Sequence, residues 1–457
     1  MYIPIWVIVL TLLTAAIAVI LWQQGKKPSD WYERVIEVVG KPYVLWVFIG
    51  AAAVLGAAYW FYLSDIIASV HDMVKHLKTQ AAASPEKVDP ENLKNLAQGS
   101  ALLLGALVAA ATLIFTLIRV WINERTTTAD EEGLITDRIN AAVASLGAEK
   151  TKKDFETGKE YTVPNIEVRI GAILALERMA KKNADVHIQI MEILTAYIRE
   201  NAPVAEGTHE RKPRQDIQLA FTVIGRRPPK RIALERLQKF RLDLNNCDLT
   251  RIEGRGFDFA KADFIGTRFV RSQLKNANME NANLWGANMQ YADLMNANMQ
   301  KADLGRASMQ QADLRSAILQ NAVLRSANMQ NANLWDANMQ HAVLSAANMQ
   351  NATLMNARMQ HADLSASNMQ NANLVNANLQ HARHLTDAFL RGAALKSIDF
   401  TNIPISQDQL ELTFGDESVI LPKSLDRPSH WPHEDLSPTL FRHQWRAWHE
   451  TLPPDGD

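Results

Sequence analysis

The stretch Asn281-Ala-Asn-Leu-Trp285, Gly286-Ala-Asn-Met-Gln290, Tyr291-Ala-Asp-Leu-Met295, Asn296-Ala-Asn-Met-Gln300 decides how the chain folds. Its period is five residues, and it holds from Asn276 to His381. A large apolar residue recurs at Leu284, Met289, Leu294, Met299, Leu304 and onward to Leu379. A small residue mostly stands two places earlier, as at Ala282, Ala287, Ala292 and Ala297. Only two positions in five are restricted to apolar or small types. A helix of 3.6 residues per turn cannot keep such a stripe on one face. Self-similarity at a short fixed period marks a solenoid, so the rest of the chain must cap and deliver one.

The chain has 457 residues, room for two or three domains, and a formal net charge of −1. No global field steers it towards nucleic acid, and no nucleic-acid partner is expected. The single cysteine, Cys247, excludes an internal disulfide and any multi-cysteine metal site. It takes the small inward position of its repeat and reads as a buried thiol.

Three apolar runs precede the repeats: Ile3 to Trp22, Val44 to Leu63 and Ala101 to Ile122. Each is about long enough to cross 30 Å of hydrocarbon as a helix. A cleaved leader fits the first poorly, because no basic residue precedes it. Lysine and arginine placement puts the N-terminus outside, Lys26 to Lys41 inside, residues 64–98 outside and everything after Ile122 in the cytoplasm. No charge lies in mid-span, which argues against an ion or proton path.

Beyond the third run a helical pattern covers Asn123 to Gly147, and Lys150 to Lys159 reads as a charged loop. Pro164 then starts one amphipathic helix and Asp185 caps a second, forming a helical hairpin. The segments Glu167-Val-Arg-Ile-Gly-Ala-Ile-Leu-Ala-Leu-Glu-Arg-Met-Ala180 and Ile190-Met-Glu-Ile-Leu-Thr-Ala-Tyr-Ile-Arg-Glu-Asn201, followed by Asp216-Ile-Gln218 and Val223-Ile-Gly-Arg-Arg227, resemble the region before the repeats in bacterial membrane-anchored pentapeptide-repeat proteins. The Ala-Asn-Leu and Ala-Asp-Leu repeats match that family directly, and the resemblance runs from about Thr127 to Ile403.

The resemblance implies a right-handed quadrilateral β-helix, each pentapeptide forming one side. Twenty residues then make a coil. Leu244 to Leu379 gives about seven coils, a rod of roughly 34 Å. Four domains follow: a membrane domain at 1–125 with spans near 3–22, 44–63 and 101–122; a cytoplasmic helical domain at 126–240; the solenoid at 241–403; and a C-terminal cap and helix at 404–457. Arg231 to Phe240 is expected to cap the first coil. The helix rich in Trp445 and Trp448 is expected to cover the far end.

Stacking the outward residues by twenties gives columns with different chemistry. Gln290, Gln310, Gln330, Gln350 and Gln370 form one amide column, and Gln300 to Gln380 a second on the opposite side. Met295, Arg315, Trp335, Met355 and Val375 form a partly apolar strip, the candidate partner surface. His341, His361 and His381 end another column and form a candidate pH-sensing or metal site. The inward methionines lie beside leucines in a packed core, which argues against a copper or heme box. No nucleophile–base pair, phosphate loop or zinc motif appears, so neither catalysis nor a cofactor is expected.

These readings converge on a non-enzymatic scaffold of a bacterial inner membrane, anchored in lipid by its spans and binding an unidentified protein. Its oligomeric state is not legible. The alternatives are a sensor or accessory subunit of a membrane complex, and a DNA-like modulator of topoisomerases such as the family contains. DNA mimicry needs an acidic rod, but Arg241 to Phe400 carries fifteen basic and thirteen acidic residues.

Overall fold

The structure is a computed structural model that describes residues 60–61, 64–65, 68, 71–72, 74–76, 78–79, 82, 90–205 and 212–453. The chain divides into two compact units, Met1–Asn123 and Glu124–Asp457. The first two predicted spans lie outside the described residues, apart from Trp60 and Phe61. Among the described residues no helix is long and apolar enough to cross a membrane. The third run lies within helix α1, Pro90–Leu146. Side chains 101–104, 106–107 and 110 fall outside the described set. Most of the described apolar ones, including Leu113, Phe115, Leu117 and Ile118, stand exposed, Phe115 at 75%, while Trp121 is half-buried.

In the second unit, the end of α1 turns Ile139, Ala142 and Leu146 into a helical core. The segment expected to be a charged loop is instead an antiparallel hairpin, β1 (Glu149–Lys153) with β2 (Glu160–Pro164). Its turn holds because the Asp154 carboxylate accepts the Glu156 and Thr157 N–H groups, both at 2.9 Å, and Gly158 takes φ 68°. Helices α2 (Ile166–Lys182) and α3 (His187–Asn201) form the expected helical pair. Val186, not Asp185, occupies the cap position of α3. Helix α4 (Gln215–Gly225) packs on both, burying Ile217, Ala220, Phe221 and Ile224, and α5 (Pro229–Leu237) follows.

The repeats wind into the expected solenoid. Parallel bridges join residues twenty apart in an unbroken series from Asp243↔Asp263 to Asp363↔Arg383. Between coils the backbone bonds directly, as Leu284 N–H to Asp303 C=O at 2.7 Å. The large inward residues from Leu284 to Leu379 are 2% exposed or less, with leucine on two opposite sides and methionine mostly on the other two. Each corner is a turn such as Met289 to Ala292, closed by a 3.1 Å bond, with Tyr291 at φ 60°. A positive φ at that turn position explains the abundance of asparagine, which tolerates the left-handed region better than most residues. Asparagine and aspartate before the inward residues also serve the corners: Asn288 Oδ1 accepts the Gln290 N–H at 3.2 Å and Asp293 Oδ1 the Met295 N–H at 3.2 Å.

After Arg383 the spacing becomes twenty-one, as in Asn368↔Phe389 and Asn373↔Ala394. A 3₁₀ turn at Leu385–Asp387, with His384 at φ 58°, absorbs the extra residue where the frame was expected to slip. Gln409, at the start of helix α6 (Gln407–Glu411), donates to Leu385 O and Ala388 O, both at 2.8 Å, and satisfies the bulge. The ladder then runs on to Asp399↔Ile420, so the predicted limit at 403 falls inside it.

The first coil is not closed by 231–240 as expected. Leu237 is 82% exposed, and Arg231 reaches back to Lys181 O. The open edge is met by residues 202–204 and by α4 instead. Asp248 N–H bonds to Ala202 O, Gln218 pairs with Glu253 in both directions, and Asp258 N–H bonds to Gly225 O. A free strand edge is a template for aggregation, and these contacts remove it. Phe221 of α4 enters the core and packs on Phe259 with centroids 4.7 Å apart and planes tilted by 31°. Phe259, Phe264 and Phe269 continue the aromatic column, while Phe257 is only partly buried against the core.

Candidate functional site: the outer columns of the rod

The candidate columns lie at the corners of the coils. Each turn offers two outward positions, the second in the left-handed region. The glutamines take the first. Their amides bond between coils in pairs, Gln290 to Gln310 at 3.1 Å, Gln330 to Gln350 at 3.0 Å and Gln320 to Gln340 at 2.8 Å. The expected ladders are therefore present as pairs. Asparagine adds shorter ladders, Asn298 to Asn278 to Asp258 on one face and Asn376 to Asn356 to Asp336 at one corner.

His341, His361 and His381 occupy the left-handed position at φ 59°, 60° and 58°. Their rings stack at 4.7 and 4.9 Å, tilted by 4° and 11°. Partial desolvation in the stack, then the charges of His341, His381 and Arg383, holds the His361 imidazole below its ordinary value. Among the described residues no group of three or more His, Cys, Asp or Glu side chains is placed to hold a metal ion. The metal half of that expectation therefore fails on geometry: parallel rings spaced like strands do not converge on one point.

The strip Met295, Arg315, Trp335, Met355 and Val375 shares one corner, but it is not a continuous exposed surface. Met295 is half-buried. Arg315 is engaged by Asp313, with Nη2 to Oδ2 at 2.6 Å and Nε to Oδ1 at 2.8 Å. Trp335 is 44% exposed. Met355 and Val375 are covered by the chain itself. Helix α7 (Pro438–His449) lies along the flank of the last coils, where Phe441, Trp445 and Trp448 join Met355, Val375, Ala394, Phe414 and Leu436 in a separate apolar cluster. This corrects the expectation that the helix sits over the end of the rod. The signal was present in the sequence: the outward column Asp293, Asp313, Asn333, Thr353, Asn373 turns apolar at Ala394 and Phe414.

Beside α7 lies a buried ion network that spacing did not reveal. Lys396 reaches Asp416 at 2.6 Å and also Asp435. Burial disfavours both charges, but the bonds to Asp416 and Asp435 outweigh it and raise Lys396, and those from Lys396 and Ser418 lower Asp416. Cys247 is fully buried, and burial pushes its thiol up to about 12, so no thiolate forms near neutrality.

Residues 272–315, 307–345, 323–360 and 354–402 match the family described as pentapeptide repeats, in eight copies. The rod is built of pentapeptide repeats. No curated protein matches the chain. Among solved structures it is similar to HetL, a pentapeptide repeat protein involved in heterocyst differentiation regulation from the cyanobacterium Nostoc sp. The identity is 22% over 44% of this chain and 93% of that one, with a TM-score of 0.24. It is also similar to QnrB1, a plasmid-mediated fluoroquinolone resistance protein, at 13% identity over 47% of this chain and 98% of that one, TM-score 0.19. A pentapeptide repeat protein of the Arabidopsis thaliana thylakoid lumen matches at 20% identity over 38% and 84%, TM-score 0.14.

Proposed function

We propose that this protein is a non-enzymatic interaction scaffold, a pentapeptide-repeat rod held at a bacterial inner membrane and presented to the cytoplasm. The observation that carries the scaffold reading is the flank of the last coils. A polar outer surface turns apolar there, and the rod already holds one amphipathic helix on it. A solenoid whose interior is packed with alanine, leucine and methionine leaves its function to its outer side chains.

Membrane attachment is supported by the apolar runs near residues 3–22, 44–63 and 101–122 and by the exposed leucines, isoleucines and phenylalanine of α1 between Val108 and Ile122. Bare apolar side chains on all sides of a helix are stable in hydrocarbon and costly in water. The nearly balanced charge of the rod favours a protein partner over DNA mimicry, which requires a field of one sign.

The test is crosslinking in native membranes followed by mass spectrometry of the captured proteins, with and without Trp335→Asp. A specific partner lost on substitution is the expected result, and an unchanged set of captured proteins would sink the scaffold reading at this strip. Carbonate extraction tests attachment separately. Release of the full chain into the supernatant would defeat it.

A further inference from the structure

The strap that leads to α7 is firmly fixed to the rod. Trp431 is buried and donates its indole N–H to Thr413 O at 2.8 Å. Leu436 is buried, and its N–H bonds to Asp416 Oδ2 at 3.1 Å. The anchoring stops there. Ser437, with φ −57° and ψ 151°, starts the helix, and of the twelve residues of α7 only Phe441 is fully buried. Trp445, Trp448 and His449 are half-buried, and Leu440 faces out at 43% exposure. Few polar ties hold the helix: Trp445 Nε1–H to Gly392 O at 2.9 Å, and His449 against Asn371 Oδ1 at 2.7 Å. Arg391 also reaches Pro453 O beyond its end. His430 of the strap also stacks on Trp448, with centroids 5.0 Å apart and planes within 3°, so release of the helix at Ser437 gives up that contact while the Trp431 and Leu436 ties stay in place.

The surface beneath is shaped for a helix. Phe441 meets Phe414 at 5.3 Å, Trp448 meets Phe414 at 5.7 Å, and Lys396 Nζ lies 5.6 Å from the Phe441 ring. The anchors follow i, i+4 and i+7, one face of a helix. The covered strip ends at Met355. Trp335 continues the same corner one coil further, about 4.8 Å away, and is exposed.

We propose that the flank formed by Met355, Val375, Ala394 and Phe414 is a helix-docking site with α7 as its releasable resident. The partner it fits is an amphipathic helix carrying aromatic residues at i, i+4 and i+7, displacing α7. This rests on the scaffold reading and names its surface.

The test uses the full chain with Phe441→Asp and a fluorescein-labelled synthetic peptide of residues 437–451. Binding to the variant should be saturable and at least tenfold tighter than to the unsubstituted chain, whose site is occupied. Adding Val375→Asp to the variant should abolish it. Trp445→Ala, which removes one polar tie without introducing a charge, should give an intermediate affinity. Equal binding to variant and parent overturns the proposal. So does no binding to either variant while circular dichroism shows the rod intact. If the peptide behaves as expected but membrane crosslinking captures nothing, the docking site stands and the scaffold reading falls.

Discussion

Replacing Phe221 with alanine tests how the first coil is closed. The ring is fully buried and lies over Phe259 with centroids 4.7 Å apart. It fills space left by Gly254, which stands where later coils carry Leu274, Leu294 and Leu314. A Cβ built on Gly254 would lie 2.9 Å from Phe221 Cε1 and 3.1 Å from Leu274 Cδ2. Loss of a buried phenylalanine costs about 3–5 kcal/mol, and the close, tilted ring pair places this one near the middle, about 4 kcal/mol. The first coil would then open roughly a thousandfold more often, at about 1.4 kcal/mol per tenfold. Hydrogen exchange read by mass spectrometry reports this at the Leu249 and Phe259 amides, which bond to Arg268 O and Asn278 O. The decisive control is Gly254→Leu. In the parent it collides with the ring and should destabilise by about 1–3 kcal/mol. In Phe221→Ala it fills the void and should restore about 2 kcal/mol. The same substitution thus changes sign with its neighbour, a coupling only touching groups show. If Gly254→Leu is equally damaging in both backgrounds, or Phe221→Ala speeds exchange less than tenfold, the plug does not close the rod.

Gln409→Ala should free the last coil, because it strips donors from Leu385 O and Ala388 O and an acceptor from Ser406 N–H; about 2 kcal/mol is expected, read as faster exchange at the Phe389 amide. Gln409→Glu keeps the acceptor and loses the donors, so it should cost nearly as much. Acidification should weaken the histidine corner. The His361 imidazole is held below its ordinary 6.5, so the folded chain binds fewer protons than the unfolded one. Stability must therefore fall as pH drops through 6.5 towards the folded-state value. His361→Asn should reduce the loss in melting temperature between about pH 7.5 and pH 5.5, the window that brackets the ordinary histidine value; identical slopes would contradict the stacking argument.

The repeat register was legible because burial, turn conformation and ladder spacing all impose the same period. Leu284, Ala282 and Asn281 each report one of those constraints, and none depends on a distant contact. The slip after Arg383 was legible for the same reason. The docking of α7 was not. Trp445 and Trp448 show that the helix has an apolar face, but only Ala394 and Phe414, apolar residues at outward positions of the repeat, say where that face goes. Reading them requires the one-residue offset that the bulge introduces. The first cap was not legible because 231–240 adjoins the coil in sequence, whereas α4 lies against it in space. The end of the strip was not legible because Met355 and Val375 stand at outward positions of the repeat, and nothing in their own spacing says which segment of the chain covers them.

Both ends of the rod use one device. The inward column that begins at Gly254 runs through Leu274, Leu294, Leu314, Leu334, Leu354, Leu374 and Leu395, and it ends at Gly415, the residue after bridged Phe414. At each glycine an aromatic side chain from outside the repeat takes the place of leucine. At the far end it is Trp431, 1% exposed, whose ring would lie 2.6 Å from a Cβ on Gly415. A leucine column stacked to its last coil would expose one apolar end to water. A glycine removes that end and leaves a socket in which a flat ring seals the column. The socket also fixes the strap from which α7 hangs, so the seal and the docking flank are coupled. Gly415→Ala should therefore lift Trp431 at about 1–3 kcal/mol and raise exchange at the Leu436 amide along with that of Phe414. Faster exchange at Phe414 alone, with Leu436 still protected, would show that the strap is held by Asp416 and Lys396 and that the ring seals the core independently.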